Sequence, residues 1–422
     1  MMQLSRFRRR LAAWSSVTLA ALVLSIFAFS PVRAAEPIKI GFSMALTGGL
    51  AAAGKSALIA MEIWRDDINA SGGLLGRQVE LVYYDDQTNP STVPGIYTKL
   101  INLDKVDLVV SGYATNMVVP AMPIVMSRKM VFMSLFGLAA NEKFGYDRYF
   151  SILPAGPDPK TDFLKGFFDI AMAQNPQPKT VALVGADAEF ARNAVAGARE
   201  AAKAAGLEIV YDKSYPPSTA DFTPIVRAIQ ATNADIVFCG SYPPDSAGMV
   251  RAVNEIGLKA KMFGGGMVGL QFAVFMSKLG PMLNNIVNYD FWVPEPTLKF
   301  EGVEGFLKKY QAAAEGKGVD PLGYYLPPYA YSYLQVLGNA VEATGGLDQA
   351  KLADYIRSNE HSTVVGKIKF GKNGEWATPR TLMVQYQGVE GNELAQFTKP
   401  GTRVVLYPPQ WKSGDLIYPY KQ

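Results

Sequence analysis

Gly264-Gly265-Gly266-Met267-Val268-Gly269 is the stretch with the most explicit chemistry. It matches the G-x-G-x-x-G spacing that lets backbone N–H groups approach a dinucleotide pyrophosphate, and Asp290 follows at about the 20-residue interval of a ribose-binding acid. The pattern comes late in the chain, however, and Asp290 lies inside an apolar run, Ile286–Trp292. A dinucleotide-dependent oxidoreductase is therefore the remote alternative, since the same glycines let backbone approach any ligand. Other catalytic chemistry lacks its residues. His361 is the only histidine and Cys239 the only cysteine. That excludes a histidine-based metal site, a Ser-His-Asp triad and an intrachain disulfide. Gly41-Phe42-Ser43-Met44-Ala45 is not a G-x-S-x-G elbow, and no P-loop or metal spacing is present. The chain reads as a non-enzyme with no metal and no cofactor.

The elements that would position a site alternate between strand and helix. Ile38–Ser43, Val79–Tyr84, Leu108–Ser111 and Val131–Ser134 have strand composition, with helical patterns at Lys55–Ile68 and Ser91–Leu103. The rhythm pauses around Arg148–Pro159, where Pro154, Pro157 and Pro159 cluster. It resumes with strands at Thr180–Val184, Glu208–Asp212, Asp235–Cys239 and Met262–Phe263, and helices at Ala188–Ala205, Phe222–Thr232 and Asp245–Ile256. Asp221 is placed to cap the second of these helices. A strand at Ile286–Trp292, helices at Gly302–Ala314, Tyr329–Ala343 and Asp348–Ser358, and strands at Val364–Phe370 and Leu382–Tyr386 follow. The tail from Thr398 has no clear period. This βαβ rhythm predicts two α/β lobes with parallel sheets, with crossings near Leu153–Gly156 and Val293–Pro296. Ligands of open α/β sheets bind beyond the carboxyl ends of the strands.

Residues 1–34 read as a secretory signal peptide. Arg6, Arg8, Arg9 and Arg10 precede an apolar run, Leu11–Phe29, and Val32-Arg33-Ala34 offers a cleavage site. Taking the five leader arginines from the 41 basic residues leaves 36 against 37 acidic ones, a net charge of −1. No basic block remains to suggest nucleic acid.

Several segments, taken in order, resemble the branched-chain amino-acid type of ABC-transporter solute-binding protein. They are Ile38-Lys39-Ile40-Gly41, Leu46-Thr47-Gly48, Asp67-Ile68-Asn69-Ala70-Ser71-Gly72-Gly73 and Tyr84-Asp85-Asp86. Asp221-Phe222-Thr223-Pro224, Ser241-Tyr242-Pro243-Pro244-Asp245, Val365-Gly366-Lys367-Ile368 and Phe370-Gly371-Lys372-Asn373-Gly374 continue the set. The resemblance implies a type I periplasmic binding fold: two Rossmann-like lobes, three crossovers, a ligand cleft between them and no catalysis. It implies lobe 1 at 35–153 plus 291–379 and lobe 2 at 154–290 plus 380–422. It also implies a monomer that delivers its ligand to a membrane permease, or to a sensor in the rival reading.

Position by position, the resemblance puts Thr115, in Tyr113-Ala114-Thr115-Asn116, where the family binds a ligand carboxylate with a hydroxyl and nearby N–H groups. Phe136, Gly137 and Leu138 form the next contact loop. Phe190 and Tyr242 match aromatic contacts of the second lobe. Gly266 falls where amino-acid binders carry the acid that pairs with the ligand ammonium. Leu138 replaces a hydroxyl, and Ala53 stands where some relatives have Trp. A buried ammonium without an anionic partner is costly, so these departures predict a more neutral, roomier pocket, with Asp187 and Glu189 as substitute acids only if they reach it. Tyr113, Phe136, Phe190, Tyr242 and Met267 would wall such a pocket, with Tyr325 facing it and Arg192 as a further anion partner. The expected ligand is an aromatic or arylalkanoic acid, with an amino acid as the alternative.

Overall fold

The computed structural model describes residues 35–420, and the expected leader, residues 1–34, lies outside them. The strand–helix alternation builds two sheets. In the first, the order is β2-β1-β3-β4-β5, with β1 Ile38–Met44, β2 Val79–Asp85, β3 Leu108–Tyr113, β4 Phe132–Leu135 and β5 Tyr149–Ser151, all parallel. The second has seven strands, beginning with β6 Thr180–Ala186, β7 Glu208–Tyr215, β8 Ile236–Ser241, β9 Met262–Met267 and β10 Val287–Asp290. These five are parallel, in the order β10-β9-β8-β6-β7. A hairpin, β11 Glu360–Thr363 and β12 Gly366–Lys369, comes next. Finally, β13 Leu382–Tyr386 and β14 Arg403–Tyr407 extend the second sheet antiparallel beyond β10.

The chain passes between the sheets three times. After β5 it enters helix Pro159–Met172, which packs on β9, β10, β13 and β14. After β10 it returns through helix Val303–Ala314, which packs on the first lobe's helix Ala51–Ala70. The long helix Pro327–Thr344 lies on that same helix and on β4. After β12 the chain crosses again to β13.

Several expectations are corrected. Val364–Phe370 is not one strand: the chain reverses at Val364–Val365, with Gly366 at φ +86°, to make the β11–β12 hairpin. The proline cluster ends in a helix, because Pro159 sits at a first-turn position where a missing N–H costs nothing. Helix Thr115–Ser127 forms around internal Pro120 and Pro123, which masked it. The tail carries the unforeseen edge strand β14. Asp221 accepts from the Thr223 N–H at 2.9 Å, one residue before the helix cap position.

The glycine run is a strand rather than a phosphate loop. Gly264, Gly265 and Gly266 lie inside β9, and a short 3-10 turn, Val268–Gln271, separates them from helix Ala273–Leu279. A β-carbon on Gly264 (φ +134°) would stand 1.9 Å from the Val287 carbonyl oxygen, and one on Gly265 (φ +102°) 2.5 Å from the Phe238 ring. The glycines serve close sheet packing. Asp290, the supposed ribose acid, is buried against Arg403 instead.

A turn in the third crossing ties the first. The Ser151 N–H donates to the Gly374 carbonyl at 2.8 Å. Asn373 Nδ2 donates to the Pro157 carbonyl (2.9 Å), and Asn141 Nδ2 to the Asn373 carbonyl (3.1 Å). Glu375, only 2% exposed, sits in this knot, where burial pushes its carboxyl up to about 8.

Candidate functional site

The carboxyl ends of strands from both sheets converge on one cavity. Tyr113 ends β3, Phe136 follows β4 and Leu153 follows β5; Tyr242 follows β8 and Val268 follows β9. Ala114 and Thr115 at the start of helix Thr115–Ser127, Phe190 at the start of helix Glu189–Ala204, and Phe163, Tyr289 and Tyr325 complete the lining. Seven of these eleven residues are aromatic, and none carries a charge at neutral pH. Burial keeps the phenols of Tyr113, Tyr289 and Tyr325 protonated, well above their ordinary range.

The cavity is neutral, as the departures at Gly266 and Leu138 predict, but it is not roomy. Its volume is about 20 Å³, space for one water. Its own rings fill it. Phe136 packs against Phe291, Tyr325 and Tyr329 with centroids at 4.8, 5.3 and 5.3 Å, and Phe163 against Tyr289 at 4.9 Å. A ligand must therefore part these rings to enter.

Backbone strain gathers here. Ala114 adopts φ +84°, ψ 146°, and Phe136 φ +61°. Such conformations cost on the order of 1–3 kcal/mol each in residues with a β-carbon, and they persist where surrounding structure holds them, often at ligand sites. The strained Ala114 aims the start of helix Thr115–Ser127 at the cavity. Thr115 Oγ1 accepts from the Leu138 N–H at 3.0 Å, which leaves its own proton to donate. The Ala114 and Met117 N–H groups are taken by the Leu135 and Ala114 carbonyls at 3.2 and 2.9 Å, which leaves those of Thr115 and Asn116 as first-turn donors.

Two sets of hydrogen bonds cross between the lobes. Tyr242 Oη donates to Asn116 Oδ1 at 2.7 Å and accepts from the Phe190 N–H at 3.1 Å. Asn193 Nδ2 donates to the Leu138 carbonyl at 2.9 Å. The N-terminus of helix Glu189–Ala204 thus meets an oxygen from the opposite lobe. A Tyr242→Phe variant keeps the ring and loses the phenol bond, worth about 0.5–1.5 kcal/mol. The population of parted lobes should then rise roughly twofold to tenfold, read as a larger radius of gyration in small-angle scattering of the protein without added ligand. An unchanged scattering profile would remove this bond from the closure.

The structure brings together most of the expected site residues. Tyr113, Thr115, Phe136, Phe190, Tyr242 and Tyr325 line the cavity, while Asn116 and Leu138 make its cross-lobe bonds. Gly137 lies beneath, its carbonyl accepting from Tyr149 Oη at 3.1 Å. Gly266 and Met267 are buried inside β9 and are not among the lining residues. Met267 instead receives a backbone tie from Asn288, whose Oδ1 accepts its N–H at 2.9 Å. Arg192 stands apart, half-exposed and paired with Asp187 at 3.0 Å and Glu189 at 3.1 Å. These three charges satisfy one another outside the aromatic lining. With Arg199, Asp212 and Lys213, Arg192 borders a more open notch of about 410 Å³ on the second lobe, where Arg199 pairs with Asp212 at 2.6 Å. Sequence reasoning missed Phe163 and Tyr289, and with them Ala114, Leu153 and Val268. Phe163-Leu164 and Phe167-Phe168 form an apolar face at helical spacing that was available to find the first. Tyr324, next to Tyr325 in sequence, meets Trp292 edge-on at 4.8 Å rather than lining the cavity.

A family model described as periplasmic binding protein matches residues 37–392. The chain belongs to the periplasmic binding protein family. This periplasmic binding protein is 26% identical over 361 residues to an amino acid binding protein of Pseudomonas aeruginosa, covering 85% of the chain and 92% of that relative. It is 25% identical to the same organism's leucine-, isoleucine-, valine-, threonine- and alanine-binding protein, covering 84% and 91%. Its fold is that of solved type I binding proteins. A Streptococcus pneumoniae branched-chain amino-acid transporter binding protein in complex with isoleucine superposes with TM-score 0.72 at 20% identity, covering 88% of this chain and all of that one. A solute-binding protein of an R. palustris ABC transporter in complex with benzoate superposes with TM-score 0.72 at 18% identity, covering 88% and 95%.

Proposed function

We propose that this periplasmic binding protein is the solute-binding component of an ABC importer and captures a small aromatic or arylalkanoic carboxylate. The lobes, 35–153 plus 291–379 and 154–290 plus 380–422, close on the ligand as a monomer, and the closed form docks on a membrane permease. Residues 1–34 direct export to the periplasm and are removed. The supporting observation is a cavity with aromatic walls, no charged lining residue, and a helix N-terminus from each lobe. An ammonium would find no carboxylate there. A ligand carboxylate finds the Thr115 hydroxyl and first-turn N–H groups, and takes the place now held by Asn116 Oδ1 near the Phe190 N–H. The ligand binds both lobes only when they are closed, so it favours that state.

Thermal shift of the purified, refolded protein tests this against benzoate, phenylacetate, leucine and NAD. An aromatic acid at 100 times its dissociation constant should stabilise by roughly 2.7 kcal/mol. Thr115→Val should weaken that binding by roughly 1–3 kcal/mol, by calorimetry. A response to leucine without one to the aromatic acids would establish an amino-acid binder instead, in line with the names of the sequence relatives.

A further inference from the structure

Asn116 reaches from one lobe to a helix start on the other. It is the second residue of helix Thr115–Ser127, and its Oδ1 accepts from Tyr242 Oη at 2.7 Å and from the Phe190 N–H at 3.4 Å. Phe190 is the second residue of helix Glu189–Ala204. First-turn N–H groups of a helix have no intrahelical acceptor, and the helix dipole favours an oxygen beside them. Tyr242 Oη itself accepts from the Phe190 N–H at 3.1 Å. The phenol and the N–H therefore present two donors of the second lobe to one oxygen of the first.

A planar oxygen on two donors is also what a ligand carboxylate presents. The Asn116 carboxamide copies one arm of a carboxylate without its charge. The two cannot hold these donors at once. With Asn116 seated and the lining rings packed as they are, the cavity keeps about 20 Å³, room for one water. The second bond between the lobes is of another kind. Asn193 Nδ2 donates to the Leu138 carbonyl at 2.9 Å, which leaves the phenol and the helix N–H untouched.

We propose that Asn116 is an internal stand-in for the ligand carboxylate, seated on the donors that the ligand needs and displaced when the ligand binds. Asn116 then lowers the protein's affinity rather than adding to it. Part of each ligand's binding free energy goes into releasing it, so the apparent dissociation constant exceeds the intrinsic one by the weight of the self-bonded form. A carboxylate displaces the carboxamide because hydrogen bonds to a charged acceptor are stronger than those to a neutral one. This inference rests on the reading above that the cleft takes a carboxylate, and it names the residue that regulates that site.

The test is calorimetry of the refolded protein with benzoate, phenylacetate and leucine, on the native chain, Asn116→Ala and Asn193→Ala. Asn116→Ala should bind the acid that the native protein binds roughly twofold to tenfold more tightly. Truncating a residue that touches the ligand, or one that only supports the fold, would weaken binding or leave it unchanged. Asn193→Ala should give no tightening, because its bond does not occupy the donors of the carboxylate. Asn116→Ser gives the same reading should the alanine variant fail to melt cooperatively. Unchanged or weaker binding by a folded Asn116 variant overturns the stand-in and leaves the aromatic-acid reading to the native titrations. Equal tightening by Asn193→Ala also overturns it, since any loosening of the lobes would then suffice. Binding of leucine alone overturns the aromatic-acid reading, and the variants are then compared with leucine, whose carboxylate needs the same donors. No binding of any of the three acids to the native chain or the variants overturns both.

Discussion

Replacing Arg403 with Met should destabilise the protein by roughly 3–5 kcal/mol at pH 7.5, the cost of leaving a buried charge without its partner. Arg403 Nη1 lies 3.1 Å from Asp290 Oδ2, and each side chain is only 1% exposed. Asp290 closes β10 where the chain leaves the second lobe, and Arg403 opens β14. Burial pushes the Asp290 carboxyl up to about 6 even beside the guanidinium, so it is ionised at pH 7.5. Without Arg403 the same burial raises it further, and the carboxyl becomes neutral by about pH 5. The loss should therefore shrink as pH falls, and adding Asp290→Asn to the variant should recover most of it. Urea unfolding of the single and double variants at the two pH values measures this. The guanidinium is itself imperfectly served, because its Nε and Nη2 have no hydrogen-bond partner among the described residues. Removing both charges is thus expected to be close to neutral. A single variant as stable as the native protein would mean that Asp290 is already protonated.

Glu375→Gln should act in the opposite direction. The Glu375 carboxyl titrates near 4.5 when exposed and about 8 in the fold, chiefly through burial. Between those values the folded state holds a proton that the unfolded state has lost. The stability conferred by the native carboxyl is therefore complete below about pH 4.5 and declines as pH rises to about 8. Gln copies the neutral carboxyl and does not titrate. The variant should match the native protein near pH 4.5 and exceed it on the order of 3 kcal/mol at pH 7, seen as a higher thermal midpoint whose excess grows with pH. A pH-independent difference would show that Glu375 does not bury its proton. The position matters because Glu375 sits in the turn that joins two of the three crossings.

Much of this arrangement is legible in the residues. Strands such as Thr180–Ala186 and Ile236–Ser241 are continuous β-branched and apolar runs, because helices cover both faces of a parallel sheet. Thr115, Phe136 and Tyr242 follow strand ends, so the alternation itself directs them to the cleft. What stayed hidden depends on partners distant in sequence. The run Val404-Val405-Leu406-Tyr407 after Arg403 was a strand signal available to find β14, but nothing around Asp290 distinguishes a ribose acid from half of a buried ion pair. Gly266 lies inside β9 and off the lining, so its missing carboxylate does not account for the cavity's lack of charge. Free volume was not legible, because it is set by how Phe136, Phe291, Tyr325 and Tyr329 share one space. Arg192 was misleading for the same reason, since its helix start supplies Glu189 and the preceding loop Asp187.

The rings that fill the cleft have a consequence for the speed of capture. With the lobes already bonded through Asn116, Tyr242, Leu138 and Asn193, and no room beyond a single water, an arriving solute meets a shut door. Entry requires the lobes to part, and a required conformational change lowers the association rate below the diffusional limit. The same contacts that hold the lobes together thus set the toll a solute meets on its way in.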